Sequence, residues 1–458
     1  KPKKPKLYKL YKPNPKVSPP LPPLVPYKTS PQAREKLPPP PLRGELPDPD
    51  APIVAPAPNY AVLPAPPPPR RLRPDLDPFA PLGIDVGSLR LFPFVEFGAG
   101  YDTNPNRLSS SVVGSPWLRA STGVTVQSEW SQHSLTADLH GGYSDYPQFH
   151  PADRPDAAGT VSGRIDVLRD TQITSDSRFS LSTQQPGSPQ IAIPGNVFII
   201  NRPLIMTYGE TLGVTQNFNR LQVTLRGSFD RYTYGNALQS DGTVLLLSTE
   251  DYNDYGLQTR IGYEITPGVI PFLQVGGDLR RHDDYLDFAG FARDSDGVAA
   301  KAGSKFEFSR LLTGELAVGY ATRKYADPRL PILAAPTIDG SIVYTATPLT
   351  TITLRTSTDF AETTDPFASG AVSHTVSLQV AHALFRDLLL KATGTFQNYK
   401  FVGEAVNENL YSLALGADYS LTRDIMLRAT YTHERFLTNL TGSNYVDDAF
   451  LLSVRLQR

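Results

Sequence analysis

Apolar and polar residues alternate in eighteen short segments between Leu89 and Arg458. The clearest segment, FLLSVRL at 450–456, places four apolar side chains on one face of a strand and Ser453 and Arg455 on the other. Consecutive side chains of a strand point to opposite faces, so this pattern predicts strands with one apolar and one polar face.

The predicted strands are long, mostly 11–14 residues, whereas strands of soluble proteins usually have about 5–6. Short connections such as Arg169–Asp170 alternate with long ones such as 185–203 and 234–251. This rhythm is typical of outer-membrane barrels, which have tight turns at one rim and longer loops at the other. The predicted strands are 89–101, 117–128, 133–146, 156–168, 172–184, 204–217, 220–233, 252–265, 269–281, 296–308, 311–324, 337–347, 349–360, 372–383, 387–399, 408–420, 423–435 and 446–457.

The pattern therefore predicts an all-β fold, a closed antiparallel transmembrane β-barrel of about 18 strands. A 16-stranded barrel is the alternative, because polar and apolar residues mix around His374 to His382 and the strand count is also open near 337–347. A soluble β-sandwich or propeller also alternates, but its strands are shorter. Aromatic residues recur near the predicted strand ends, as in interfacial girdles: Phe92, Phe97, Tyr101, Tyr143, Tyr146, Phe229, Tyr232, Tyr320, Tyr325, Phe396, Tyr399 and Tyr431.

Composition divides the chain in two. Residues 1–80 hold 26 of the 44 prolines and 14 basic against 6 acidic residues, a formal charge of +8. The other 378 residues hold 30 basic and 39 acidic residues, a formal charge of −9. Proline fixes φ and removes a backbone donor, so residues 1–76 are predicted to be a disordered Pro/Lys-rich arm and residues 77–458 the barrel.

The chain has no cysteine, which excludes a disulfide scaffold and a thiolate metal site. It also lacks a run of about 18–20 apolar residues that would form a transmembrane helix. Because the chain opens at Lys1 without a methionine, we expect a processed product.

The start of the predicted barrel resembles a known family. The segments 77–84, DPFAPLGI, and 93–106, PFVEFGAGYDTNPN, are similar to those of alphaproteobacterial outer-membrane proteins of the putative β-barrel porin 2 type. The resemblance covers residues 77–458 and implies an outer-membrane barrel, commonly preceded by a Pro-rich arm. It implies no catalytic or ligand residues. The ending Leu456-Gln457-Arg458 departs from the terminal Phe or Trp of many outer-membrane strands.

A barrel of about 16–18 strands is too wide for side chains to fill and leaves an aqueous lumen. The polar phase of the strands supplies candidate lining residues of both signs. They could form opposed charge rows that filter solutes, or they could pair across strands and merely keep the wall hydrated. The candidates are Arg119, Arg164, Arg178, Arg226, Arg260, Arg280, Arg323, Arg355, Arg428, Lys391, Glu96, Asp138, Asp166, Asp176, Asp230, Glu264, Asp278, Glu315 and Asp418.

Catalytic chemistry finds little support. His282-Asp283 and His433-Glu434 place histidine beside a carboxylate, but consecutive strand residues point to opposite faces. No ligand spacing for a metal and no phosphate-binding glycine loop is present. We therefore expect no enzyme activity, no cofactor and no metal. Nucleic-acid binding is not expected either, because the chain has no folded basic domain.

Three functions fit these observations. The first is a water-filled pore for passive passage of small polar solutes, and the second is an anchor whose basic arm reaches peptidoglycan or a periplasmic partner. The third is a conduit for polysaccharide export. In each case we expect the bacterial outer membrane, contact with its lipid and lipopolysaccharide, and both termini in the periplasm, because the strand number is even. A homo-oligomer is also compatible with the sequence.

Overall fold

The computed structural model describes residues 79–184, 201, 203–238, 242–309, 311–363 and 368–458. The predicted arm, residues 1–76, lies outside the described residues. Eighteen long strands form the body. They are β1 Leu89–Asp102, β2 Ser115–Ser128, β3 Ser134–Asp145, β4 Arg154–Leu168, β5 Thr171–Thr183, β6 Leu204–Phe218, β7 Leu221–Tyr234, β8 Tyr252–Tyr263, β9 Val269–His282, β10 Ser295–Ser309, β11 Leu312–Tyr325, β12 Leu333–Thr347, β13 Thr350–Ala361, β14 Gly370–Ala383, β15 Leu388–Val402, β16 Asn407–Ser420, β17 Ile425–Thr438 and β18 Tyr445–Gln457.

Every strand pairs antiparallel with its neighbours in the chain, and β1 pairs with β18 from Phe94↔Gln457 to Asp102↔Ala449. This last pairing closes the sheet and confirms the 18-stranded barrel; the 16-stranded alternative is wrong. Closure pairs the two edge strands of the sheet with each other. Over most of the circumference, no backbone N–H or C=O group is then left at an unpaired strand edge.

Short connections follow the even-numbered strands and mark what we call the short-turn rim. Asn219 follows β6 with a φ of 59°, and Gly268 precedes β9 with a φ of 87°, a left-handed conformation that Asn and Gly tolerate best. Connections after the odd-numbered strands form the long-loop rim. One of them, 403–406 between β15 and β16, is as short as the turns, so the predicted alternation is not strict there.

Two additional pieces lie outside the eighteen strands. Ile84–Val86 pairs with the first residues of β1 at the short-turn rim. At the long-loop rim, Ala237–Leu238 pairs with Val244–Leu245, and single turns of 3-10 helix span His150–Ala152 and Leu247–Glu250.

No helix in the described part of the chain is long and apolar enough to span a membrane.

The outer face is apolar and exposed. Along β18, Leu452 and Val454 are 54% and 41% exposed, whereas Ser453 and Arg455 between them are almost fully buried. Exposed aromatic residues occupy this face, among them Tyr101, Tyr143 and Tyr320. However, Tyr146, Tyr232 and Tyr325, which the sequence places in an interfacial girdle, are buried, so that part of the prediction is wrong. Their rings pack within the barrel against other buried side chains.

The ladder between β12 and β13 is incomplete. Pairing runs only from Thr347↔Thr350 to Gly340↔Thr356, so the long-loop half of β12 has no backbone partner in β13. The Thr358 hydroxyl bridges the gap by accepting from the Ile338 amide at 3.1 Å. Pro336 lies along the same open edge, where its missing N–H forfeits no ladder bond. This explains why β12 begins at Leu333 and not at 337 as predicted.

Beyond the interruption, the hairpin of β13 and β14 folds into the barrel. Gly370–Ser373 are buried at four consecutive positions, so both faces of the start of β14 are covered. Phe360, Val372 and Leu333 form a buried apolar cluster with Tyr325. We call this region, Thr358–Ala361 with Gly370–Ser373, the inward corner.

Candidate functional site

The inner face of the barrel carries most of the charged side chains, and it is the candidate functional site. Arg428 on β17 connects its neighbour β16 with β1, which lies beyond β18: its Nε donates to Asp418 Oδ1 at 2.8 Å and its Nη1 to Glu96 Oε2 at 3.3 Å. Lys391 Nζ lies 3.0 Å from Asp418 Oδ2. The Ser453 hydroxyl donates to Glu96 at 2.5 Å. This network holds four neighbouring strands and β1 together by charge-assisted hydrogen bonds.

The wall from β2 to β7 is built in the same way. Arg119 donates two hydrogen bonds to Asp156, of 2.8 and 2.9 Å. Arg178 donates to both oxygens of Asp230, at 2.6 and 2.5 Å. Both pairs join strands two apart, which is within reach of an arginine across one intervening strand, and their fork geometry fixes the side chains.

Weaker contacts hold two other candidates of this wall. Arg164 Nε lies 3.4 Å from Asp166 Oδ1. Asp138 accepts from the Thr125 hydroxyl at 2.8 Å and lies 3.0 Å from His140 Nδ1. These groups are partly exposed, so their pairing contributes little to stability.

Arg280 is the centre of the long-loop half of the lumen and is 0% exposed. Its guanidinium donates to Asp254 Oδ2 at 3.1 Å, to Glu362 Oε1 at 2.5 Å and to the Phe360 carbonyl at 3.3 Å. Phe360 belongs to the inward corner, and Glu362 directly follows its first segment. These hydrogen bonds therefore connect β9 to the end of β13, four strands away. This half of the lumen is therefore filled beside β8–β14.

Three further ion pairs lie on the inner face of β8–β12. Arg323 is fully buried and hydrogen-bonds to Asp278. Lys301 Nζ donates to Asp339 Oδ2 at 2.5 Å. Nearer the short-turn rim, Arg260 contacts Glu315 at 2.9 Å and Gln274 at 2.6 Å. Burying so many charges is tolerable only because each has a partner of opposite sign.

Loops of the long-loop rim continue this buried network. Arg293 Nε donates to Asp287 Oδ2 at 2.6 Å, and its Nη1 reaches the Ala368 carbonyl at 3.3 Å. Glu250 is 2% exposed, and its nearest cation atom, Arg293 Nε, lies 4.0 Å away, too far for a hydrogen bond. Burial raises the pKa of Glu250 to about 8, although the charge of Arg293 opposes the shift.

The short-turn half of the lumen differs. Arg226, Lys305 and Arg355 lie on the inner face, because each alternates with an outward apolar residue or lies opposite a buried polar one. None of the three forms an ion pair with a described residue, and Lys305 and Arg355 are exposed. Glu264, next to the short-turn rim, likewise has no ion pair with any described residue.

The candidates from the sequence thus fall into two groups. Most take part in ion pairs or hydrogen bonds on the inner face, while Arg226, Arg355 and Glu264 form no ion pair with a described residue. That these residues line a conducting pore stays a prediction. Sequence reasoning missed Glu362 because it follows β13 in a loop, where alternation carries no signal. It also missed Asp254, which lies directly opposite Arg280, and Asp339, although both follow the polar phase of their strands and could have been found. Lys301 and Lys305 follow the polar phase of β10 and could have been found.

Histidine side chains do not assemble a catalytic site with the neighbours that follow them in sequence. His433 Nδ1 lies 2.8 Å from Asp448 Oδ1 on the outer face, whereas Glu434 pairs with Arg107 on the inner face. Consecutive residues therefore do point apart, as expected. The absence of enzyme activity remains a prediction.

One group in the described part of the chain brings three potential metal ligands together: Asp145, His150 and Asp153, with ligand atoms within 4.8 Å of one another. The sequence showed no such convergence, because a loop separates the three. Asp153 already accepts from the Tyr146 amide at 2.6 Å and lies 3.1 Å from His150 Nδ1. These hydrogen bonds show that the three side chains stabilise the conformation of the loop.

Comparison with known proteins relates the chain to outer-membrane barrels. The model of the family described as putative beta-barrel porin 2 matches residues 77–458. No curated protein matches the sequence. Among solved structures, the outer membrane protein OpdK from Pseudomonas aeruginosa is 10% identical over 80% of this chain and 99% of that chain, with a TM-score of 0.38.

Two further solved structures are also similar. The siderophore receptor PiuA from Acinetobacter baumannii is 12% identical over 82% of each chain, with a TM-score of 0.41. The ferric citrate transporter FecA is 11% identical over 76% of this chain, with a TM-score of 0.38, and the chain spans 60% of the length of FecA.

Proposed function

The chain belongs to the putative beta-barrel porin 2 family, and on that premise we propose that its barrel is a water-filled pore for passive passage of small polar solutes. The family places the barrel in the bacterial outer membrane. The observation that carries the proposal is the pair of opposed faces: Leu452 and Val454 meet lipid, while Ser453 and Arg455 between them belong to a charged inner wall.

Exposed charged side chains in the short-turn half support the same proposal. Lys305 and Arg355 are exposed on the inner face, and a charged side chain without an ion pair needs solvent around it. The filled region beside Arg280 narrows the path through the barrel, so we expect a small conductance.

Conductance of the purified full-length chain in planar lipid bilayers tests the pore. We expect discrete, stable openings in potassium chloride. The control is the same preparation after boiling, which unfolds the barrel. The boiled and unboiled samples should migrate differently in gels, and this difference shows that the unboiled sample is folded. A correctly folded barrel that shows no openings would contradict the proposal.

We propose further that the short-turn rim faces the periplasm, which puts both ends of the barrel there. The first residues of β1 and the last of β18 lie at this rim, and short turns normally lie on the periplasmic side. Protease added to intact cells should spare a tag fused to either end and cleave one inserted in the loop after β9. Cleavage at the terminal tags would reverse the orientation.

A second candidate function is an anchor, favoured by the charge of +8 over residues 1–80 and by the position of the barrel start at the short-turn rim. Acidic polymers of the cell wall would attract such a segment. Deleting residues 1–76 should then abolish co-sedimentation with peptidoglycan and leave conductance unchanged. Unaltered co-sedimentation would exclude the anchor and leave the pore untouched.

A further inference from the structure

One carboxylate lies on the outer face of the barrel, away from both rims. Glu210 shares the outer face of β6 with Tyr208 and Leu212, which are 42% and 57% exposed. It is the seventh of the 15 residues of β6. Every other Asp, Glu, Lys or Arg that the described strands place on the outer face, such as Arg231 and Lys324, is among the first or last four residues of its strand.

Two serine hydroxyls of β5 hold this carboxylate. Ser175 donates to Glu210 Oε1 at 2.6 Å, and Ser177 donates to Glu210 Oε2. Ser177 lies directly opposite Glu210 in the register of β5 and β6. Both serines face outward, because Arg178, the residue after Ser177, points to Asp230 on the inner wall. We call Ser175, Ser177 and Glu210 the outer polar cluster.

Apolar side chains surround the outer polar cluster. Val161 on β4 lies opposite Ser177, and Phe229 on β7 lies opposite Glu210. Leu212, two residues farther along β6, is exposed on the same face. The cluster therefore lies among side chains that meet lipid tails, where no water completes the hydrogen bonds of a carboxylate. Charged groups in the membrane almost always face other protein groups, which favours a protein contact at this part of the wall.

A second copy of the chain offers the matching groups at the matching depth. Two copies inserted in the same orientation are related by an axis along the membrane normal, which keeps each residue at its own depth. Ser177 and Glu210 are one strand spacing apart, about 4.8 Å. A two-fold axis that passes between β5 and β6 therefore brings Ser177 of each copy in front of Glu210 of the other. A hydroxyl donor then meets a carboxylate acceptor in both directions, as a two-fold contact requires.

We infer that the outer polar cluster is the centre of a two-fold interface between two copies of this chain in the outer membrane. Glycines beside the cluster allow the second barrel to come close, because small residues let backbones approach each other within a membrane. Gly163 on β4 lies opposite Ser175, and Gly227 on β7 lies opposite Leu212. This inference goes beyond the proposed pore and does not require that the lumen conduct.

Disulfide cross-linking in isolated outer membranes tests the interface. The chain contains no cysteine, so Leu212→Cys introduces a single thiol beside the cluster and leaves its three members intact. Across the proposed axis the two thiols face each other, so oxidation should give a covalent dimer on non-reducing gels.

Gly394→Cys is the matched control for this cross-link. Gly394 is likewise the seventh residue of a 15-residue strand, β15, on the other side of the barrel. A Cβ atom at this position meets no other atom within 4 Å, so the variant should fold, and it should stay monomeric after oxidation. Equal amounts of dimer from both variants would show random collision and overturn the interface.

Light scattering of the full-length chain in a mild detergent measures the number of chains per particle. We expect two chains for the unmodified protein and one for Glu210→Leu, which places an apolar side chain on an apolar face and should therefore fold. Thr259→Leu makes the same kind of change on the outer face of β8, where Thr259 is exposed, and should keep two chains. Heat-modifiable mobility in gels confirms that each variant is folded.

The outcomes distinguish this inference from the proposed pore. Single-chain particles of the unmodified protein without a Leu212→Cys cross-link, or particles of three chains, overturn the two-fold interface. A dimer that persists in Glu210→Leu overturns the role of the cluster. Because Glu210 lies outside the lumen, Glu210→Leu should keep the conductance of each opening, and a barrel without openings would contradict the pore while the dimer stands.

Discussion

The two halves of the lumen use the same residue types in opposite ways. In the long-loop half, Arg280 and Arg323 are fully buried and each holds a carboxylate. In the short-turn half, Lys305 and Arg355 are exposed and hold none. The difference teaches that burial and a carboxylate within reach, and not the residue type, decide whether a charge serves the architecture or the solute.

Desolvation explains the division. A buried charge loses its hydration, and only a well-placed partner compensates for that loss. An exposed charge keeps its hydration and can remain unpaired, which leaves its field available to ions in the lumen. The inward corner creates the boundary, because it excludes water from the long-loop half and delivers Glu362 to Arg280.

The largest expected difference between the two halves is the loss of stability on replacing Arg280. Arg280→Met removes the cation from the buried Asp254 and should cost about 3–5 kcal/mol in the free energy of unfolding. The matched change Arg355→Met should cost less than about 0.5 kcal/mol. Urea unfolding in lipid vesicles, followed by tryptophan fluorescence, measures both. Equal losses would mean that the two halves are not distinct.

A second test uses pH in the long-loop half. The pKa of Glu250 is raised to about 8 by burial, from 4.5, so the folded loops hold its neutral form while the unfolded chain ionises. Their packing is therefore strongest below about pH 4.5 and weakens as the pH rises toward 8. One pKa unit is about 1.4 kcal/mol, which makes this an effect of a few kcal/mol.

Protease cleavage of the loop after β7 at pH 5 and pH 8.5 measures that weakening. Cleavage should be faster at pH 8.5, and Glu250→Gln should remove most of the pH dependence. The other charges facing Glu250 are Arg293, Glu362, Asp287 and Asp251. A full pH dependence in the Gln variant would assign the effect to one of them.

The inside–outside assignment underlies the comparison and can be tested on β16. Leu413 is 43% exposed and Ser412 is 7% exposed. Leu413→Arg should hinder membrane insertion by about 2–4 kcal/mol near the bilayer midplane, whereas Ser412→Arg should insert and change ion selectivity. Folding yield into vesicles and reversal potential report the two effects. Indistinguishable variants would show that the phase of β16 is reversed.

The smallest effect concerns the interrupted ladder. The Thr358 hydroxyl accepts from the Ile338 amide and lies 3.1 Å from His374 Nδ1. Thr358→Val leaves that amide without a partner and should cost about 1–2 kcal/mol. Thr353→Val, on the paired part of β13, should cost less than about 0.5 kcal/mol. Hydrogen exchange of Ile338 should accelerate only in the first variant.

Alternation was enough to predict the strand number and most strand bounds, because each strand meets two different environments at every second residue. The same periodicity placed the candidate lining residues. It failed where another constraint acted: the strand was predicted to begin at 337, yet β12 begins at Leu333 and accommodates Pro336, because its open edge requires no amide there. It also could not foresee that Tyr232 and Tyr325 turn inward, since aromatic rings suit both an interface and a packed interior.

Ion pairs between residues far apart in the chain could not be predicted from the sequence, for a simpler reason. Arg280 and Glu362 are 82 residues apart, and nothing in their local pattern relates them. Their meeting depends on how the inward corner bends, which is decided by packing around Leu333 and Phe360.

Because β1 pairs with β18, the closed barrel does not require that a particular strand come first in the chain. The Arg458 amide donates to the Pro93 carbonyl at 3.1 Å, so the two ends of the barrel adjoin. A brief peptide linker should therefore join them, and new termini could open in the turn at Arg169–Asp170. Such a circular permutant would show whether assembly machinery reads the final strand itself or merely the strand that is synthesised last.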